Sequence, residues 1–345
     1  MSLYKAIVKP ILFSFDPEKI HHLVFSGIKT ISKIPGLSFL NRLIFTVNNP
    51  KLERVVYGLK FPSPVGLAAG FDKDAKLFNE LSDYGFGFIE IGTLTPKGQS
   101  GNAKPRLFRL PQDEALINRM GFNNEGVEAA VKRLKKRKTK IVIGGNIGKN
   151  TGTNFDKTDD DYVAVFNSLF DYVDYFVVNV SCPNVGNLTK LQEKEPLMRL
   201  MQKISDINKS KPIPKPLLLK IAPDLSAQEL DDVIDIIKSL ELDGVVASNT
   251  SVNREGLKTS DKKLEEIGWP GGLSGKPVGD RSTNVISYLY KNLGDKYPII
   301  GVGGIHSEKD ALDKLNAGAK LVQVYTGFIY EGPGLVKRIN KALLK

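Results

Sequence analysis

A single cysteine, Cys182, occurs in 345 residues, which excludes an intramolecular disulfide and any multi-cysteine zinc or iron–sulfur centre carried by this chain alone. Three histidines argue against a histidine-rich centre, and no metal site is expected. No run approaches the ~18 apolar residues of a transmembrane helix, so no bilayer span is predicted. The opening residues MSLYKAIVKP hold an early lysine but no apolar core followed by a small-residue cleavage site. That pattern argues against a secretory signal and predicts a reducing compartment.

What is present suits a large globular core: 41% hydrophobic residues, with Gly 32 and Pro 19, exclude a disordered or collagenous chain. The length admits either two domains or one α/β barrel with an appendage. Lys+Arg 49 against Asp+Glu 38 leaves a surplus of +11, compatible with nucleic acid, an anionic membrane, an acidic ligand or solubility alone.

From about residue 65 the chain alternates short β-branched runs with longer amphipathic stretches. The runs are Val65 to Gly70, Phe86 to Thr93, Ile141 to Ile147, Tyr175 to Ser181, Leu217 to Pro223, Gly244 to Thr250, Ile299 to Gly304 and Leu321 to Gly327. They are apolar without strict alternation, as parallel strands covered on both faces should be. Between them lie helical patterns such as Ser226 to Leu240, with a serine cap and a glutamate three residues on, and Ser307 to Ala317. Eight such alternations predict a (β/α)8 TIM barrel. A doubly wound sheet is the weaker reading, because no G-x-G-x-x-G follows the first strand. Residues 1–45 read as a small N-terminal helical extension and 46–345 as the barrel. Leu3 to Phe15 and Pro17 to Ile34 carry apolar residues at helical spacing among lysines, with Pro35-Gly36 ending the second stretch. Such helices suit a membrane surface, a second protein face or a cap over the bottom of the barrel. Residues 1 to 60 hold nine Lys+Arg against three Asp+Glu, much of the charge surplus, which favours an anionic membrane.

In a barrel all carboxyl ends of the strands open onto one face. Lys73, Thr93, Asn146, Asn179, Lys220, Asn249, Gly304 and Tyr325-Thr326 end or follow these runs and should converge there. Asn118, Asn146, Asn179, Asn184, Asn249 and, less firmly placed, Asn123 offer amides that match a ligand alternating C=O and N–H, such as a pyrimidine or another cyclic imide. Phosphate would instead be held by the glycine-rich turns Gly301 to Gly304 and Tyr325 to Gly327. Lys73 and Lys220 would face an anion or a developing negative charge, or reach solvent. Cys182 lies in NVSCPN just past the fourth run. It is either a small buried residue or a proton-transfer group, and no His or Asp beside it supports a protease-like dyad.

The segments GLAAGFDKD, EIGTLTP, KPRLFRL, INRMGFNN, NIGKN, VNVSCPN, KIAPDLS, SNTS, GGLSGKP, IIGVGGI and QVYTGFIYEGP resemble those of the dihydroorotate dehydrogenases, FMN-dependent barrel enzymes of pyrimidine biosynthesis, from about residue 16 to 340 and in the family's order. FDPEKIHHL and GGLSGKP resemble the quinone-linked, membrane-associated class 2. One feature departs: class 2 members usually carry serine as base, whereas Cys182 is similar to class 1. The amino-terminal extension weighs more, because it is the quinone module itself.

The resemblance implies that Cys182 takes the C5 proton of dihydroorotate while hydride leaves C6 for FMN. It implies FMN contacts at Ala69, Gly70, Thr93, Asn146, Asn179, Lys220, Ser248, Gly275, Gly304, Tyr325 and Thr326. It implies substrate contacts at Lys73, Asn118, the backbone of Arg119, Met120, Gly121 and Phe122, and at Asn179, Asn184, Asn249 and Thr250, with His21, Arg109 and Tyr325 along a quinone route. The expected partners are dihydroorotate and orotate, and ubiquinone or menaquinone. The expected form is a monomer peripheral to the cytoplasmic face of the membrane if bacterial, with no nucleic acid and no obligate protein partner. A class 1-type enzyme using fumarate, or a non-catalytic basic barrel binding anionic lipid or nucleic acid, are the competing readings. The chain lacks the basic and aromatic interleaving of single-strand binders.

Overall fold

The computed structural model describes residues 3–181, 184, 189–268 and 271–345. Eight parallel strands close into a barrel: β1 (Val65–Leu67), β2 (Phe88–Leu94), β3 (Val142–Ile147), β4 (Tyr175–Asn179), β5 (Leu217–Ile221), β6 (Gly244–Ala247), β7 (Ile299–Val302) and β8 (Ala319–Val324). Each pairs with the next in chain order, and β8 returns to β1 through Val322↔Val65 and Val324↔Leu67. Every strand overlaps its predicted run, and most stop short of its end, because the polar residues there have left the ladder for the loops.

The barrel forms because successive side chains of a strand point to opposite faces. Phe88, Val142, Tyr175, Val177, Leu218, Val246, Ile300 and Leu321 point inward and make one cluster. Ile89, Ile91, Ile143, Phe176, Val178, Leu219, Val245 and Val322 point outward, under the helices. A hairpin of Arg54–Val56 and Leu59–Phe61 seals the floor, its inward residues Val56 and Phe61 joining the inner cluster. Both residues of its turn, Tyr57 and Gly58, have positive φ, as a two-residue type I′ turn requires. The predicted caps are in place: Ser226 and Glu229 form a capping box on helix Ala227–Leu240, and Ser307 and Asp310 form one on Glu308–Asn316.

Two features were not predicted. Loops after β2 and β6 build a three-stranded antiparallel sheet from Leu107–Leu110, Ala115–Asn118 and Gly272–Gly275, which stands on the barrel's carboxyl face. The amino-terminal region has a third helix, Leu37–Phe45, beyond Tyr4–Phe13 (a π turn running into α) and Pro17–Ile31. The second helix stops before Pro35-Gly36 as expected, and Gly36, at φ 85, then opens the new helix.

Helix Pro17–Ile31 is capped by the Asp16 carboxylate, which accepts from Glu18 N and Lys19 N. It is pinned to the raised sheet by a buried ion pair. Arg106 donates from Nε to Glu18 Oε2 at 3.1 Å and from Nη2 to Oε1 at 2.7 Å, and both residues are 6% exposed. Burial alone would push the Glu18 carboxyl up, but Arg106 and then Lys104 more than offset it and hold it below its usual value. Removing one partner of such a pair strands the other charge, at a cost of roughly 3–5 kcal/mol. Lys104, 3.3 Å from Glu18, offsets part of that. Arg106→Met should therefore cost about 3 kcal/mol in urea denaturation and expose the Pro17–Ile31 helix to limited proteolysis. Unchanged stability and cleavage would show the pair to be idle.

Candidate active site

At one level of the barrel the inward residue changes from apolar to polar on strand after strand. Phe88 is followed two residues on by Glu90, Val177 by Asn179, Leu218 by Lys220, Val246 by Ser248 and Leu321 by Gln323. Gly144, where a Cβ would lie 2.2 Å from the Tyr175 ring, is followed by Asn146. These polar groups are buried, and all but Ser248, which donates to Asn249 O, are joined to one another, with Gln323 Oε1 left without a partner among the described residues. Asn249 Nδ2 donates to Asn179 Oδ1 (3.2 Å) and Asn179 Nδ2 to Thr93 Oγ1 (2.9 Å). Thr93 Oγ1 donates to Asn146 Oδ1 (2.5 Å), and Asn146 Nδ2 to Glu90 Oε1 (2.7 Å). Gln323 Nε2 donates to Glu90 Oε2 at 2.7 Å, and Lys220 Nζ lies 3.5 Å from Glu90 Oε1.

Above this layer a cavity opens, roofed by the raised sheet. Its walls include Ala69, Gly70, Lys73, Thr93, Asn118, Met120, Gly121, Phe122, Asn179, Asn184, Lys220, Ser248, Asn249, Thr250, Gly275, Gly304, Tyr325 and Thr326, so most predicted contacts meet in one place. Cys182 lies outside the described residues. Asn146 is not in the wall; it is fully buried behind Thr93 and Asn179. Arg119 also turns away: its guanidinium donates to the carbonyls of Pro105 and Ile267, and its backbone N–H to Arg106 O.

Within the wall, Asn184 Nδ2 donates to the backbone and side-chain oxygens of Asn118 at 3.0 and 3.2 Å. Its buried Oδ1 meets no donor among the described residues. Lys73 reaches the cavity with its ammonium held by Asn123 Oδ1. At the far end, Gly304 turns with φ 72 so close to the helix that follows the raised sheet that an added Cβ would lie 2.2 Å from Gly279 Cα.

An aromatic column joins the amino-terminal helices to this cavity. The His21 ring lies 4.2 Å from Phe25 and 5.3 Å from Phe71, and Phe71 lies 5.6 Å from Tyr325 in the wall. Burial, then the Lys73 and His22 charges, push the His21 imidazole down to about 4, so it is neutral at pH 7. Arg109 closes the first helix instead of entering the cavity, donating to the carbonyls of Phe13 (3.2 Å) and Phe15 (2.7 Å) with its guanidinium 4.5 Å over the Phe13 ring.

Sequence reasoning passed over Glu90, Gln323 and Ser274. The last lies in the wall, its hydroxyl 2.8 Å from that of Thr326. The signal for Glu90 was a lone carboxylate inside an apolar strand, which burial permits only with partners.

A family model described as dihydroorotate dehydrogenase matches residues 51–345. A protein of Christiangramia forsetii named dihydroorotate dehydrogenase (quinone) is 57% identical over 99% of each chain. One of the same name from Idiomarina loihiensis is 47% identical over 96% of this chain and 98% of its own. Among solved structures, an Eimeria tenella DHODH in complex with ferulenol superposes with a TM-score of 0.85 at 35% identity. It covers 95% of this chain and 91% of its own.

The tight turn at Gly304 can be tested directly. Gly304→Ala combines left-handed backbone strain of roughly 1–2 kcal/mol with a collision against backbone. It should lower stability by about 2 kcal/mol or more in thermal or urea melts; a neutral result would mean the turn has room.

Proposed function

The chain belongs to the dihydroorotate dehydrogenase family, and on that premise we propose that its cavity oxidises (S)-dihydroorotate to orotate in pyrimidine biosynthesis, with flavin mononucleotide as resident cofactor and a quinone as final electron acceptor. The observation that carries this reading is the convergence of Lys73, Asn118, Asn184 and Asn249 in one wall, with Lys220 buried in the same cavity. A ureide ring bearing a carboxylate alternates N–H and C=O, which the asparagine amides complement. Its N–H groups suit Asn184 Oδ1, and Lys73 offers an ammonium to the carboxylate.

The wall also fits a flavin. Lys220 is 4% exposed, and its contact with Glu90 at 3.5 Å leaves ammonium N–H groups for a ligand carbonyl. The turns at Gly304 and Thr326 supply a glycine-lined end suited to phosphate. When bound, the flavin would supply the acceptor for the hydride and the redox carrier through which dihydroorotate's two electrons pass on to the quinone. The chain's own part is to bind, orient and deprotonate. Cys182 is assigned the base by its place in the chain between Ser181 and Asn184, and would take the C5 proton. A thiol, with a reference pKa of about 8.5, needs less help than a hydroxyl to do so.

The quinone reading is supported by the relatives' names and by the amino-terminal helices, whose aromatic column leads to Tyr325. Those helices also suit the surface of a membrane, on its cytoplasmic side in a bacterium. Leu23, Phe39 and Leu43 are 64%, 66% and 65% exposed, while among the described residues no helix is long and apolar enough to cross one. Neither nucleic acid nor a protein partner is needed for this chemistry, and a monomer suffices.

The purified protein should be yellow, bleach when dihydroorotate is added anaerobically, and regain colour with a ubiquinone or menaquinone analogue but not with fumarate. A colourless protein that takes up no flavin would sink the reading. Cys182→Ala should keep the flavin and lose turnover by about 10²-fold or more, and wild-type turnover should climb with pH as the thiol ionises. Replacing Leu23 and Leu43 by glutamate should abolish co-sedimentation with anionic vesicles while dihydroorotate still bleaches the flavin. Undiminished sedimentation would move the membrane contact elsewhere.

A further inference from the structure

Glu90 stands in the middle of β2, 0% exposed, in the polar layer under the cavity. Three strands serve its carboxylate: Asn146 on β3 and Lys220 on β5 meet Oε1, and Gln323 on β8 meets Oε2. If the group's only task were to hold strands together, packed apolar side chains would do as well without desolvating two charges. The contacts are also unequal. The carboxylate has two hydrogen bonds of 2.7 Å from neutral amides, whereas its distance to Lys220 is 3.5 Å. Lys220 is thus balanced in charge while it still lines the cavity.

The hydrogen bonds also have a direction. An ionised carboxylate only accepts. Asn146 must therefore turn Nδ2 to Glu90 and Oδ1 upward, where it accepts from Thr93 and from Asn179 Nδ2. Asn179 Oδ1 is then left to accept from Asn249 Nδ2. Each amide's orientation follows from the one beneath it.

We propose that Glu90 is a positioning residue for the oxidation, the counter-charge to Lys220 that sets the charge facing the flavin and the direction of the amide chain beneath the substrate. The inference rests on the reading that Lys220 faces flavin. The first test is the two-electron midpoint potential of the flavin-loaded protein. Glu90→Gln leaves the Lys220 charge unbalanced and should favour reduced flavin about tenfold, an upward shift of about 30 mV. Glu90→Asp, which keeps the charge, should restore most of the difference. A Glu90→Gln protein that binds flavin at an unshifted midpoint would overturn the proposal.

Where Glu90→Gln alone fails to fold because Lys220 is stranded, Lys220→Met is compared with the Lys220→Met/Glu90→Gln double variant, which buries neither charge. The single variant should have the lower midpoint by a similar margin, and equal midpoints would overturn the inference. A wild-type protein that holds no flavin would instead refute the functional reading, so the two failures are distinct.

Discussion

A closed parallel barrel gives each strand two alternating sets of side chains, and the inward set has no solvent on any side except at the ends. That constraint governs this molecule. Below the level of Glu90 the inward residues are Phe88, Val142, Tyr175, Leu218 and their neighbours, sealed from beneath by Val56 and Phe61 of the hairpin. At that level the same alternation presents carboxylate, ammonium and amides. Chemistry therefore begins at a fixed height set by packing, and the loops above only have to enclose it.

A polar layer in such a place must satisfy itself, because an unpaired buried group costs roughly 1–3 kcal/mol. The acceptor-only Glu90 and the donor-only Lys220 remove the ambiguity that a ring of amides alone would have, since an asparagine can be turned over with little change of shape. Fixed amide directions matter at a binding site: a ligand that alternates donors and acceptors meets one pattern rather than several. Asn184, with its donors on Asn118, and Gln323, with its donor on Glu90, each have an acceptor unmet among the described residues.

The strands were legible because burial on both faces leaves nearly unbroken apolar runs, and the two serine caps because the capping box is written in adjacent residues. What escaped has physical reasons. The raised sheet is made of strands four residues long drawn from two distant loops, too short to show a period and paired only through the tertiary fold. Helix Leu37–Phe45 was hidden because glycine after proline reads as a stop, while Gly36 at φ 85 acts as a hinge between two helices. For the site, the end of a strand told which residues approach the cavity but not at what depth or in which direction. Asn146 faces inward yet lies behind Thr93, and the Arg119 backbone, expected beside the substrate, donates its N–H to Arg106 O and accepts from Asn102.

The amino-terminal helices meet the barrel through ion pairs, Glu18 with Arg106, Lys5 with Glu331 and Arg42 with Asp83, and through aromatic rings, Phe13 on Tyr330 and Phe45 on Tyr84. Next to the cavity the contacts are aromatic, with His21, Phe25 and Phe71 leading to Tyr325. That aromatic column has an electrostatic consequence. A cation in the aromatic column would have to be desolvated beside Lys73, and the burial that pushes His21 down to about 4 keeps the column uncharged at neutral pH. Ionic contacts at the rim hold the helices in place without adding charge to that path. The approach to Tyr325 from the exposed apolar helices thus suits an uncharged, apolar ring, whereas Lys73 and the asparagines face the opposite requirement, an anion rich in hydrogen-bonding groups. A cavity whose wall joins an uncharged aromatic column at Tyr325 to Lys73 and the asparagines suits an enzyme whose two substrates differ in polarity and exchange electrons without meeting.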